Sequence, residues 1–191
     1  MAQNQEPLQW SPKKCVSLKN PQGSTMEYFK YLLIFVVTGI VFMTVGCSSI
    51  AIRTSVEIDA PKEEVYKILA DLDSYPNWNP YHRKVVGKFE EGAELKIFVL
   101  RPDGKEVEVP PHMMRIVENQ EITWGGGIKG IFYGVHSFIL ESQAHGKTLL
   151  KHNEDFSGFA IGFADLPPDV IAEGYQQMNM ALKKLVEDGS K

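Results

Sequence analysis

A run of six strand-like segments joined by short connections, followed by one long amphipathic helix, most constrains the fold of this chain. Gly, Pro or Asn residues separate the segments, and their patterning is typical of strands. The segments are residues 83–89, 94–100, 106–117, 121–125, 132–141 and 148–156. Because short connections favour pairing between consecutive strands, we expect an antiparallel meander. Helical spacing then runs from about Pro168 to Glu187, and its apolar stripe comprises Ile171, Gly174, Tyr175, Met178, Leu182 and Leu185.

One strand and one helix precede this run. Residues 51–58 alternate apolar and polar side chains, which predicts a half-buried strand, and a helix is predicted after Pro61. Two prolines in residues 73–81 then limit the chain to a short helical turn or a loop. A curved antiparallel sheet can hold a long helix against its concave face. The predicted class is therefore α+β, with about six or seven strands wrapped on the C-terminal helix.

Two prolines, Pro110 and Pro111, interrupt the third segment of the run. Proline cannot donate a hydrogen bond to a strand ladder. We therefore expect a bend, a bulge or a break into two strands at this position.

Short motifs spread from Ile52 to Leu185 carry a resemblance to a known family. They are Ile58-Asp59-Ala60-Pro61, Tyr75-Pro76-Asn77-Trp78-Asn79-Pro80, Ile122-Thr123-Trp124-Gly125-Gly126, His136-Ser137-Phe138, Gly146-Lys147-Thr148 and Phe156-Ser157-Gly158. In order and spacing the chain resembles the START-like (SRPBCC) superfamily, in its polyketide cyclase/dehydrase branch. The resemblance implies a helix-grip fold whose cavity, between sheet and C-terminal helix, takes lipids, sterols, polyketides or other apolar molecules. The superfamily contains enzymes, carriers and sensors, so function has to be argued from the site.

The last two segments place polar groups on an otherwise apolar face. In residues 148–156, Leu150, His152, Glu154 and Phe156 share one face, because side chains two apart in a strand point the same way. His136 and Phe138 share a face of the preceding segment. A turn centred near Ala144 predicts that His136 lies opposite His152 and that Phe138 lies opposite Leu150. A slip of one residue would reverse the faces.

This cluster of His136, His152 and Glu154 has two interpretations. Burial raises the pKa of a carboxyl group and a nearby imidazolium lowers it, which would suit acid and base catalysis. Alternatively, the three groups satisfy one another in a cavity wall, or orient a ligand, without any reaction.

Several large side chains are further candidates for ligand contact. Trp78 and Trp124 suit a cavity wall, although both are equally compatible with the core, and Tyr175 and Met178 are predicted to face the cavity from the C-terminal helix. The candidate ligand-binding set is Trp78, Trp124, His136, Phe138, Leu150, His152, Glu154, Phe156, Tyr175 and Met178. Residues 159–163 are apolar and are predicted to cover the cavity mouth, to touch lipid, or to pack under the helix.

The segment before the domain predicts a membrane tether. Residues 1–25 are polar and are expected to be disordered or a mis-assigned extension, with Met26 a second plausible start. Residues 26–49 combine a basic flank, an apolar run and Thr44-Val45-Gly46-Cys47, which resembles a lipoprotein box except at Thr44. We expect lipidation at Cys47 and an exported, periplasmic or cell-surface lipoprotein. The alternative is an uncleaved, single-pass membrane helix; residues 50–191 form the ligand-binding domain in either case.

Other chemistries lack a sequence signal. A net charge of −4 gives no basic footprint for nucleic acid. Both cysteines precede the domain, the five histidines lack zinc-site spacing, and no serine lies in a nucleophile elbow. Residues 125–127, all glycine, are predicted to form a flexible turn. We therefore expect no metal, no cofactor and no covalent catalysis.

Three functional hypotheses remain from the sequence. The first is a membrane-tethered binding or carrier domain for an apolar small molecule or lipid. The second is a cyclase or dehydratase type of enzyme in which Glu154 works with His152 or His136 as acid and base. The third is an interaction protein whose cavity is filled by its own side chains.

Overall fold

Seven strands form one antiparallel, curved sheet. They are β1 (Ser49–Ile58), β2 (His82–Val86), β3 (Glu94–Leu100), β4 (Glu106–Val117), β5 (Glu121–Ile128), β6 (Phe132–Ser142) and β7 (Thr148–Ser157). Their spatial order is β1-β7-β6-β5-β4-β3-β2. The consecutive strands β2 to β7 thus pair as the predicted meander, and β1 adds to the edge at β7.

Three α-helices accompany the sheet. They are α1 (Lys62–Ala70), α2 (Tyr75–Trp78) and α3 (Pro168–Gly189), and 3₁₀ turns form at Leu72–Ser74, Ala144–Gly146 and Phe159–Phe163. The long helix α3 packs against β1, β7 and α1. This arrangement confirms the predicted α+β, helix-grip class.

This computed structural model describes residues 29–33, which are helical, and residues 49–189. By its internal contacts the chain divides into a unit of residues 1–44 and a unit of residues 45–191. The predictions for residues 1–25 and for Cys47 lie outside the described residues, as does most of the predicted 26–49 segment. Among the helices of the described parts, none has the length and apolar character that a membrane crossing requires.

Helix α3 buries a stripe that differs from the prediction at three positions. Ile171, Gly174, Tyr175, Met178 and Leu182 are buried as expected, but Leu185 is 40% exposed and Val186 is buried in its place. Asn179 is also buried, at 2% exposure. A polar side chain in such a stripe needs hydrogen-bond partners, and Asn179 finds them in the candidate site.

Two β-bulges adjust the faces of the sheet. Between β3 and β4 the register shifts by one residue opposite Pro110 and Pro111, so that of the predicted bend, bulge or strand break a bulge forms. A second shift lies between His82 and Lys84 at the start of β2. Because of this shift, His82 and Val85 are both buried although an odd number of positions separates them.

The register between β6 and β7 corrects the predicted cross-strand pairs. His136 lies opposite Glu154 and Phe138 lies opposite His152. The predicted turn centre at Ala144 was wrong by one residue, because His145 adopts a left-handed conformation (φ 61°) and moves the centre to itself. A one-residue change of turn centre shifts the register by two positions, so every side chain keeps its predicted face.

The run Gly125-Gly126-Gly127 was predicted to be a turn, and this prediction was wrong. The run belongs to β5, which continues to Ile128. At Gly127 the backbone has φ 101°, and a Cβ atom there would lie 2.3 Å from the carbonyl oxygen of Phe132. Glycine at this position therefore permits close pairing with β6.

Candidate functional site

A cavity of about 140 Å³ lies between the concave face of the sheet and the first half of α3. Five strands from β3 to β7, the start of β2 and the residues before α3 all contribute to its wall. Its apolar lining consists of Ile97, Val99, Val107, Val109, Pro110, Phe132, Phe156, Leu166 and Ile171. Its polar or aromatic lining consists of Tyr81, His82, Arg101, His112, Trp124, His136, Glu154, Asp165 and Tyr175.

The ten sequence-predicted ligand contacts divide equally between this lining and the surrounding core. Trp124, His136, Glu154, Phe156 and Tyr175 line the cavity. The other five lie away from it; they are Trp78, Phe138, Leu150, His152 and Met178. Trp78 packs against Tyr75 with ring centroids 5.2 Å apart. His152, although fully buried, contacts the lining through His136 and Tyr175.

The start of β2 is positioned by Asn79, which is fully buried. Its Oδ1 accepts hydrogen bonds from the backbone N–H groups of Tyr81 (3.0 Å) and His82 (2.9 Å). Such local bonding is typical of Asn at turns. Its Nδ2 donates to the sulfur of Met178 at 3.2 Å, which ties the turn to α3. Together with the bulge that follows, this contact turns His82 toward the cavity.

A chain of four hydrogen bonds fixes where the protons of the buried histidines lie. The Thr54 hydroxyl donates to the His152 carbonyl oxygen (3.0 Å), so its oxygen accepts from Asn179 Nδ2 (3.0 Å). Asn179 Oδ1 therefore faces His152 Nδ1 (2.8 Å), which must donate. In a neutral imidazole the other nitrogen is then an acceptor. His136 Nε2, 2.7 Å from His152 Nε2, must donate, and His136 Nδ1 is left without a proton.

Burial keeps the histidines of this cluster neutral. Desolvation lowers the pKa of His152 to about 3 and is only partly opposed by the bond to Asn179. Desolvation, followed by repulsion from the neighbouring histidines, lowers the pKa values of His82 and His136 well below the ordinary value. The neutral tautomers that the hydrogen bonds require are thus the forms present near neutral pH.

Glu154 has the opposite shift for the same physical reason. Desolvation raises the pKa of its carboxyl group to about 8, while the hydrogen bond from the Tyr175 hydroxyl to Oε2 lowers it in part. The group is therefore mostly protonated at neutral pH. Tyr175 also stacks on His152, with ring centroids 3.9 Å apart. Glu154 and His136 meet as a cross-strand pair, so the predicted cluster does form, with a protonated acid and neutral imidazoles.

Three buried ring nitrogens of the lining lack a hydrogen-bond partner among the described residues. They are His82 Nδ1, Trp124 Nε1 and His136 Nδ1. Buried polar atoms are paired in the great majority of cases, so each such exception calls for an explanation.

Charged residues close the mouth of the cavity. Arg101, just after β3, pairs with Asp103 and with Asp165, whose Oδ2 lies 2.9 Å from Nη1. Lys105 pairs with the same Asp165. These ion pairs attach the residues that precede α3 to the β3–β4 hairpin.

The residues that sequence reasoning missed include His82, Asn179, Thr54 and Arg101. His82 lies just before the predicted segment 83–89, and the bulge that turns it inward has no clear sequence signal. The stripe of α3 omitted Asn179, although a polar residue beside Met178 on the buried face is a usable signal. Thr54 and Arg101 become recognisable only once β1 lies beside β7 and the residues before α3 lie beside β3.

The residues described show no group of three or more His, Cys, Asp and Glu side chains arranged to hold a metal ion. The three histidines of the cluster instead contact one another through ring edges and hydrogen bonds.

Comparisons with known proteins agree with this geometry. A family model described as polyketide cyclase/dehydrase and lipid transport matches residues 49–187, which confirms the resemblance predicted from the motifs. None of the curated proteins compared with the chain matches it.

Solved structures share the fold at low sequence identity. An aromatase/cyclase, Zhui from a Streptomyces species, is 18% identical with a TM-score of 0.59, and the match covers 75% of this chain and 97% of that one. A START superfamily protein from Mycobacterium smegmatis is 18% identical with a TM-score of 0.55, covering 75% and 99%. Norcoclaurine synthase from Thalictrum flavum is 14% identical with a TM-score of 0.54, covering 74% and 88%.

Proposed function

Because the chain belongs to the polyketide cyclase/dehydrase and lipid transport family, we propose that it is a membrane-tethered binding or carrier domain for an apolar small molecule or lipid. The observation that carries the proposal is a mostly apolar cavity whose charged lining residues, Arg101 and Asp165, pair with each other at the mouth, while the cluster behind them is neutral near pH 7. His82, His136 and His152 are deprotonated, and Glu154 is protonated. A mostly apolar wall with a few convergent polar groups is typical of small-molecule sites.

The size of the cavity limits what can be fully enclosed. A space of about 140 Å³ resembles engineered cavities that admit one benzene-sized ring. A larger ligand would need the residues before α3 to move outward. The ion pairs that hold them include Asp165 and Lys105, whose side chains are 56% and 54% exposed. Exposed pairs contribute roughly 0–1 kcal/mol each, and the buried Arg101 would keep Asp103 as its partner if Asp165 moved away, so opening costs little.

Exposed apolar side chains support the membrane part of the proposal. Ile128, Ile131, Phe159 and Phe163 are 64%, 41%, 48% and 91% exposed. Backbone hydrogen bonds from Phe159 to Gly130 and from Ala160 to Ile131 join the two loops that carry them. We name these four side chains the apolar tip. Phe159 and Phe163 follow Ser157, which pairs with Ser49, the residue where the predicted tether enters the domain.

Ligand content can be tested directly. The full chain, purified from membranes, is extracted with organic solvent, and the extract is analysed by mass spectrometry. Val109→Trp would fill the cavity, whereas Met113→Trp on the same strand, at a 52% exposed side chain, is the matched control. We expect a bound compound in the wild type and the control but not in Val109→Trp. An empty extract from folded wild-type protein would favour an interaction protein with a self-filled cavity.

The tether has a separate test. The intact mass of the membrane-extracted chain should show cleavage before Cys47 and added acyl groups, and Cys47→Ser should abolish both. An uncleaved chain of full mass would instead favour the single-pass helix. For the apolar tip, Phe163→Ser should weaken co-sedimentation with phosphatidylcholine vesicles of a chain that lacks residues 1–47 and so has no tether. Met180→Ser, at a 57% exposed position on α3, is the control.

A second candidate function is an enzyme of cyclase or dehydratase type. It is favoured by Glu154, because a carboxyl pKa of about 8 lies near the operating pH of a general acid. Incubation of the protein with candidate polyketide-like substrates would test it. Turnover that Glu154→Gln leaves unchanged would exclude this role for the carboxyl group.

A further inference from the structure

Three aromatic side chains in the cavity wall carry the unpaired ring nitrogens and contact one another. Ring centroids are 4.8 Å apart for Trp124 and His136, 5.0 Å for His82 and His136, and 5.3 Å for His82 and Trp124. All three residues are at most 3% exposed, and all three line the cavity. We name them the ring triad. The three unpaired nitrogens therefore belong to neighbouring residues of the cavity wall.

The ring triad needs a partner that both donates and accepts hydrogen bonds. The indole Nε1–H of Trp124 can only donate. His136 Nδ1 can only accept, because His136 Nε2 already gives its proton to His152. That assignment follows from the chain that begins at the Thr54 hydroxyl and passes through Asn179. His82 is neutral and can present either tautomer, so it imposes no further condition.

We propose that the cavity binds a neutral alcohol or phenol whose hydroxyl group lies against the ring triad, donating to His136 Nδ1 and accepting from Trp124 Nε1. This inference rests on the proposed binding function. An ether, ester or ketone offers only an acceptor and would leave the nitrogen of His136 unpaired. A hydrocarbon would leave both atoms unpaired.

A charged ligand fits the same wall poorly. The guanidinium of Arg101 is the charged donor nearest the mouth, and Asp103 and Asp165 already pair with it. Deeper in the cavity, an anion would meet the carboxyl group of Glu154 and neutral imidazoles. Burial without a counter-charge is costly for an ionised group, so a carboxylate is expected to bind weakly.

A matched series of ring-sized probes tests this ligand class on the full chain in detergent micelles. The probes are 4-methylphenol, 4-methylanisole, p-xylene and 4-methylbenzoate, and the readouts are titration calorimetry and the ¹H–¹⁵N resonance of the Trp124 indole. We expect 4-methylphenol to bind about tenfold tighter than the methyl ether or the hydrocarbon. The Trp124 indole proton should shift downfield with 4-methylphenol and stay in place with p-xylene.

Two variants test whether Trp124 causes the tighter binding of 4-methylphenol. Trp124→Phe deletes the donor and should reduce the advantage of 4-methylphenol over p-xylene to about threefold or less. Tyr133→Phe also deletes one polar atom from an aromatic ring of β6, but Tyr133 does not line the cavity, so it should retain the full advantage. Because the probe comparison is made on wild-type protein, an unfolded variant would not remove the test.

The outcomes separate this inference from the binding function. Equal affinities for 4-methylphenol, 4-methylanisole and p-xylene would overturn the hydroxyl assignment while leaving a binding domain, with water satisfying the ring triad. Tightest binding of 4-methylbenzoate would overturn the neutrality of the ligand. No binding of any probe to folded protein would count against both proposals.

Discussion

The difference in stability between the Glu154→Gln variant and the wild-type domain should shift in favour of the variant as the pH rises. Gln has nearly the same shape and can still accept the hydrogen bond from the Tyr175 hydroxyl. It cannot ionise, however. In the wild type, the pKa of Glu154 is about 8 in the folded state against 4.5 for the free group, because burial disfavours the carboxylate.

The sign and size follow from proton linkage. Between pH 4.5 and 8 the folded state holds one proton on Glu154 that the unfolded state has lost. The free energy of unfolding therefore falls by about 1.4 kcal/mol per pH unit as the pH rises. From about pH 5 to 8 this amounts to roughly 4 kcal/mol. Glu154→Gln lacks this loss, so its stability relative to the wild type should rise by that amount.

Urea unfolding of the full chain at half-unit pH intervals measures the effect. Below pH 6.5 the buried histidines also affect stability. Burial lowers their pKa values in the folded state, to about 3 for His152, so the folded domain loses stability as the pH falls. They are common to both proteins and cancel in the difference. Two curves that run parallel from pH 5 to 8 would refute the reasoning, since Glu154 would then be ionised in the folded state or hydrated.

Three further substitutions test packing, the mouth and the proton chain. Gly174→Ala should cost roughly 1–3 kcal/mol in urea unfolding, because its Cβ would lie 2.1 Å from the Tyr81 ring; an unchanged midpoint would contradict this packing. Asp165→Asn should speed 4-methylphenol release in stopped flow about two- to fivefold, since its pairing with Arg101 holds the mouth; an unchanged rate would place the exit elsewhere. Thr54→Val should cost roughly 1–3 kcal/mol by leaving the amide of Asn179 without its acceptor; a neutral effect would disprove the proposed proton orientation.

Strand periodicity predicted the faces of the sheet well. His136, Glu154 and Phe156 lie in the cavity wall as the period of two indicates, even though the register between β6 and β7 was wrong. The error was harmless because a turn centre displaced by one residue shifts the pairing by two. The family motifs likewise led to the correct fold, since they mark the turns and helix starts that its topology requires.

Periodicity failed where the backbone departs from regular geometry or where a helix carries a polar group inward. The bulge after His82 reverses the face of that residue, and its cause, the turn at Asn79, is visible only in the hydrogen bonds to the backbone. Asn179 lies on a buried stripe for which apolar spacing alone predicts no polar member. The volume of the cavity also depends on how far α3 lies from the sheet, and a pattern of residue types does not determine this distance.

The pKa values decide how the three groups first proposed as an acid and base cluster can act. For Glu154 to protonate His152, a proton would move from a group of pKa about 8 to one of pKa about 3. Burial disfavours the charged form of both groups, so it opposes this proton transfer. An ion pair inside the cluster is therefore almost unpopulated, and His152 is a poor base at neutral pH. A catalytic role of this cluster would therefore use Glu154 as a neutral acid toward the ligand, and a carrier would use the same neutral groups to orient its ligand.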